Sequence, residues 1–201
     1  ELGENSGLAT VALITGMHTV LGQAAGNALE VAEAIDVLEG RGPDDVVEVT
    51  LALAREMLAL VDVDTDPAGV LAGGEPREVF DRMVAAQGGD LSAGLPVAEH
   101  RQEIVAPTTG YLGRLDCRAV GVAAWRLGAG RARKEDPVSA TAGVVCLSKP
   151  GDQVEAGQPL LELHSDDEGR FTSAVAALDG AIEIVDKPPE LPPLLIDRIA
   201  P

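Results

Sequence analysis

Aromatic side chains are nearly missing from this chain: one Trp, one Tyr and two Phe occur among 201 residues. A core built without rings must come from Leu, Val, Ile and Ala, and the composition, 46% hydrophobic, supplies them. Such side chains suit alanine-rich helices packed on short aliphatic strands. Positive charge is scarce as well. Fifteen Lys and Arg stand against 33 Asp and Glu, a formal net charge of −18, which argues against a nucleic-acid backbone or an anionic membrane as partner. The imbalance is uneven, with 18 acids and 4 bases in residues 1–100 but 15 acids and 11 bases thereafter, a shift that points to two units.

Cysteine is equally sparse. Cys117 and Cys146 lack CxxC or Cys/His spacing, which argues against a zinc site or a disulfide scaffold and fits small buried hydrophobes in a reducing compartment. No apolar run approaches a membrane span, and the first residues, ELGENSGLAT, contain neither a basic region nor a signal core, so a cytoplasmic protein is expected.

What is present begins with LATVALIT, residues 8–15. It reads as a fully buried strand, and because a buried parallel strand needs neighbours on both sides, the chain is expected to begin in the middle of a fold. Ala25, Ala28, Leu29, Ala32, Ile35 and Leu38 recur by threes and fours over residues 22–40 and predict a helix ending at Gly40. A second helix is expected from Pro43 to about residue 60, its first turn carrying Asp44 and Asp45 where the helix dipole favours acids. DTDPAG and LAGGEP read as loops, and EPREVFDRMVAAQGG as a third helix closed by Gly88 and Gly89. From about Glu103 the pattern changes to short strands bounded by PTTG, KPGD and EAGQP, with short helices at 119–128 and 170–178. The expected division is 1–98, a strand plus helices, and 99–201, an α+β domain.

Self-contained catalytic motifs are missing too. The chain has no P-loop, no GxGxxG and no GxSxG, and His18 and His100 stand without metal-ligand spacing. HSDD, residues 164–167, cannot converge as a triad because its members are adjacent, and it reads as a solvated strand end. KPGDQVEAGQPLLELHS, residues 149–165, has the turn-strand character of biotinyl and lipoyl carrier domains, but the position of the modifiable lysine reads ELHSDD. LGAGRARKED, residues 127–136, is the densest basic stretch. Arg131, Arg133 and Lys134 beside glycines offer either an anion-binding, domain-closing loop or a flexible loop making ion pairs. Around Gly22 and Gly26 a tight bend leaves carbonyls without helical partners. A carboxylate one or two turns into the following helix could join them around a hard cation. Glu30 and Glu33 also read as ordinary acids near a helix start.

ALITGMHTVLGQAAGNALEVAEAIDVLEGRGPDDVVEVTLALAREML closely resembles the pyrimidine-nucleoside and thymidine phosphorylase family. The likeness continues through RMVAAQGGD at 82–90, APTTGYLGRLD at 106–116, VGVAAWRLGAGRARKEDPV at 120–138 and KPGDQVEAGQPLLELHSD. It implies the C-terminal part of a nucleoside phosphorylase α/β domain followed by a barrel-sandwich-like α+β domain. It also implies phosphorolysis of a pyrimidine nucleoside to free base and (deoxy)ribose 1-phosphate, a pentosyl transfer in pyrimidine nucleoside metabolism. The family's phosphate and base sites lie upstream of Leu8, so an N-terminal region or chain is the implied partner and this chain alone is expected to be inactive. An oligomeric assembly is implied as well. By the same resemblance a potassium ion is held by the carbonyls of Leu21 and Ala24 and the acid Glu33, and Arg131, Arg133 and Lys134 form a domain-closure loop. Gly16 stands where the family usually has Asp, and Val20 where it has Pro. The rival reading is a non-catalytic homologue acting as an interaction or assembly module.

Overall fold

A computed structural model describes residues 2–200. Along the chain run α1 (Leu2–Asn5), β1 (Ala12–Thr15), β2 (Ala24–Gly26), α2 (Asn27–Leu38), α3 (Asp44–Leu60), α4 (Pro67–Gly73) and α5 (Glu75–Ala86). They are followed by β3 (His100–Val105), β4 (Gly110–Leu115), α6 (Cys117–Ala124), β5 (Gly143–Cys146), β6 (Gln153–Val154), β7 (Pro159–Ser165), α7 (Phe171–Ala177), β8 (Ile182–Val185) and β9 (Leu195–Ile199). Every strand pairing among the described residues is antiparallel. The chain divides into two compact units, one of Glu1–Gly16, Ile35–Gly89 and Pro192–Pro201, the other of Met17–Ala34 and Asp90–Leu191. Residues 17–34 and 192–201 pack with the sequence-distant unit.

In the first unit, β1 and β9 form a two-stranded antiparallel ribbon. The LATVALIT stretch is therefore not a fully buried parallel strand: β1 alternates exposed and half-buried residues, because a two-stranded ribbon buries at most one face. Arg198 of β9 binds Glu56 of α3 through Nε at 2.6 Å and Nη2 at 2.9 Å, a bidentate clamp that holds the Glu56 carboxyl below its ordinary range. The two stretches expected to be loops instead produce α4. Asp66 caps it, accepting from Ala68 N and Gly69 N at 3.1 Å each; Pro67 opens it, and Gly74, left-handed at φ 84°, ends it. An Asp-Pro pair starts a helix as readily as it makes a turn.

In the second unit a four-stranded sheet, β2-β5-β7-β3, and a three-stranded sheet, β6-β4-β8, enclose one aliphatic core with α6 and α7. Leu112, Leu115, Val120, Val144, Leu161 and Leu163 are fully buried in it. β7 lies between β5 and β3 and buries nearly all its length, including His164 and Ser165. HSDD is therefore a strand end only half in water: His164 and Ser165 are buried in the central strand, while Asp166 and Asp167, beyond its last residue, are exposed. After α6 the chain widens into a π-turn, Trp125–Ala129, at whose end Gly128 takes φ 117°.

Candidate functional site

The bend of residues 20–26 runs along the edge of β5 and is shaped by glycine. Gly22 is left-handed at φ 68°, so the chain reverses there without a Cβ penalty. Gly26, at φ 136°, faces Gly143 across the β2–β5 ladder, and a Cβ on Gly26 would stand 2.5 Å from the Ala142 carbonyl oxygen. This pair of glycines lets β2 lie flat on β5. Cys146 N then donates to Gln23 O at 2.7 Å, extending the ladder into the bend.

The acids of α2 fold back onto this bend. Glu33 Oε1 accepts from Gln23 N at 2.6 Å and Ala24 N at 3.1 Å, while Glu30 Oε1 accepts from Gly26 N at 2.7 Å. Both carboxylates thus satisfy amides that lack helical partners, the task an acid near a helix start performs best.

A cation that the sequence did not single out comes from the other side. Lys149 Nζ donates to Val20 O and Gly22 O, the carbonyls flanking Leu21. Its backbone is rigidly placed: Lys149 N donates to Asp152 Oδ2 at 2.8 Å, Asp152 N donates to Lys149 O at 3.0 Å, and Gly151 is left-handed at φ 102°. Burial pushes the Cys146 thiol up to about 11, with Glu33 raising it and Lys149 opposing. One carboxylate and one ammonium therefore act on the same buried sulfur, and the thiol stays protonated at neutral pH.

Asn27, the first residue of α2, is the other position missed. Its Nδ2 donates to Ala129 O at 3.0 Å and to Ser139 O at 2.7 Å, and Ala28 N donates to Ala140 O at 2.9 Å. These bonds clip together the two ends of the basic loop. Within the loop, Arg131 Nη1 reaches Lys134 O at 3.0 Å and Asp136 Oδ2 accepts from Arg133 N at 2.8 Å. Arg131, Arg133 and Lys134 are all exposed.

His164, from HSDD, is 4% exposed, and its Nε2 lies 2.7 Å from Glu162 Oε1 but out of line for a hydrogen bond. Burial lowers its pKa, with Glu162 opposing. Ser165 Oγ donates to Leu127 O at 3.0 Å, and Asp166 Oδ2 accepts from Thr141 Oγ1 at 2.5 Å. The His164 ring makes no hydrogen bond, and Ser165 and Asp166 are each turned to other partners, so no nucleophile–base pair forms there. Among the described residues no three His, Cys, Asp or Glu side chains gather as metal ligands, and no helix is long and apolar enough to cross a membrane.

Nothing but the spacing along the chain hid Lys149 and Asn27. Their partners lie more than a hundred residues away, and no local pattern encodes such a pairing. KPGD and GN were visible only as turn signals.

Residues 111–185 match the pyrimidine nucleoside phosphorylase C-terminal domain. Over 200 residues the chain is 50% identical to thymidine phosphorylases of Mycobacterium tuberculosis, in strains CDC 1551 / Oshkosh and ATCC 25618 / H37Rv. That alignment takes in 99% of this chain and 47% of each relative, so the chain spans about half the length of the curated relatives it matches. By its matched domain and by identity running through both units, the chain is similar to the C-terminal portion of pyrimidine-nucleoside phosphorylases.

Proposed function

We propose that this chain is the C-terminal portion of an enzyme that splits a pyrimidine nucleoside with phosphate, releasing the free base and a (deoxy)ribose 1-phosphate. The observation that carries this reading is 50% identity to thymidine phosphorylase through nearly the whole chain, combined with coverage of only 47% of that relative. The groups that grip phosphate and base come, on this reading, from the remaining polypeptide, an N-terminal region or separate chain. Phosphorolysis needs a held anion and charge stabilisation of an oxocarbenium-like state.

The unpartnered apolar face of the first unit supports the same view. Leu53, Met57 and Leu60, at i, i+4 and i+7 on α3, are 45%, 61% and 37% exposed, and Val79 and Met83 on α5 are exposed likewise. A stripe of this kind is what a helix shows when its covering layer belongs to other polypeptide. The Arg131, Arg133 and Lys134 loop contributes exposed cationic side chains to closure in the complete enzyme. The packing of the two sheets is read as the barrel-sandwich type, and two free thiols favour a reducing, cytoplasmic setting.

The decisive experiment mixes this chain with a separately expressed N-terminal half of a related phosphorylase and measures phosphate-dependent release of thymine or uracil. Activity is expected only in the mixture. Stable association with no turnover would overturn the enzymatic reading in favour of an assembly module, and turnover by this chain alone would overturn the claim that its chemistry is borrowed.

A further inference from the structure

A cation of the chain itself stands in the bend beside the position expected for a potassium ion at Leu21, Ala24 and Glu33. Val20 O and Gly22 O, the carbonyls on either side of Leu21, are taken by the Lys149 ammonium. Glu33 Oε1 accepts two backbone amides at 2.6 and 3.1 Å. A second monovalent cation on Leu21 O would lie on the carbonyl between the two that Lys149 holds, and like charges at that spacing repel.

We infer that Lys149 is itself the cation of this bend: a tethered ammonium that gathers the carbonyls of Val20 and Gly22 and gives the loop its shape without a bound alkali-metal ion. An ammonium and a potassium ion have similar demands, a single positive charge met by oxygen atoms. The lysine adds two things an ion lacks. It is attached to the chain, so no translational freedom is lost on seating it, and the KPGD turn, closed by Asp152 and Gly151, holds its backbone in place beforehand. The electrostatics of the neighbouring thiol agree, since Lys149 and Glu33 act on Cys146 with opposite sign. Lys149 is thus a positioning residue. It orients the segment that leads into β2 and α2, and through Cys146 N and Gln23 O it ties that segment to the sheet.

Thermal melting in potassium chloride, sodium chloride and choline chloride at equal ionic strength tests this on the 201-residue chain. It reads stability and so is independent of the phosphorolysis reading. The wild-type chain is expected to melt at one temperature in all three salts. Lys149→Ala, which leaves a hole of ammonium size, and Lys149→Gln, which keeps the bulk without the charge, should both lose about 5 °C in choline. Potassium or methylammonium should restore at least half of that loss in Lys149→Ala and much less in Lys149→Gln. Amide hydrogen exchange at Ala24 and Cys146 should quicken in both variants and slow again only in the rescued one. A saturable rise in wild-type melting temperature specific to potassium would overturn the inference, because a metal would then hold the bend. So would two variants that melt like wild type and ignore methylammonium. Should either variant fail to fold, the wild-type comparison of potassium with choline still decides.

Discussion

His164 carries the clearest pH consequence of any single residue. Burial in the central strand outweighs the attraction of Glu162, so its pKa lies below the ordinary imidazole value; Arg101, close to Glu162, pushes in the same direction. The unfolded chain takes up a proton as pH drops through about 6.5, while the folded chain holds the ring neutral to lower pH. The unfolded state then binds more protons, and stability falls as the medium is acidified below that point. His164→Gln should flatten this component. Melting temperature plotted against pH between about 7 and 5 is expected to slope less in the variant than in the wild type, and identical slopes would show that another group controls it. The same burial explains why the motif defeated a local reading. Its first two residues, His164 and Ser165, lie on a strand buried on both faces, and only the pairing of β7 with β3 and β5 reveals the cover.

Among the elements, the clip at the start of α2 controls a loop it is not part of. Asn27 satisfies two carbonyls at the two ends of residues 129–139. Truncation to Ala leaves both without that donor and should cost about 1–3 kcal/mol, measurable as a lower urea midpoint with unchanged m-value. The basic side chains make the loop its own reporter, since trypsin cuts after Arg131, Arg133 and Lys134 once the backbone opens. Faster cleavage there in Asn27→Ala, with unchanged cleavage elsewhere, is the expected result. Helix boundaries at this scale were largely legible. Pro43 with two aspartates marked the start of α3, and Gly88 and Gly89 marked the end of α5. β9 was not, because nothing in PPLLIDRIA says that its partner is β1, more than 180 residues earlier.

Across the whole molecule the two units differ in how complete they are. Every member of the aliphatic core cluster belongs to the second unit. Val37 and Val49 are the buried apolar residues of the first among those described. A unit so thinly cored holds together through helix caps, ion pairs such as Arg198 with Glu56, and whatever covers its exposed stripe. Leu53→Ser with Met57→Ser should therefore change the melting of this chain by little, within about 0.5 kcal/mol as for surface positions in general. It should nevertheless weaken association with an N-terminal half at least tenfold in a titration. Equal affinity of the variant and the wild type would place the contact elsewhere.

Composition, periodicity and turn chemistry by themselves determined the aliphatic core, the strand-and-helix alternation and most helix ends, because these depend on residues near each other in sequence; the family resemblance rested instead on motifs recurring in a fixed order. Tertiary structure alone decided that residues 17–34 pack with the distant unit, that β1 pairs with β9, that His164 and Ser165 of HSDD are buried and that Lys149 crosses to the glycine bend. The physical reason is common to all four. A backbone carbonyl or amide looks the same at every position of a sequence, and which distant side chain satisfies it is settled only when the chain closes on itself.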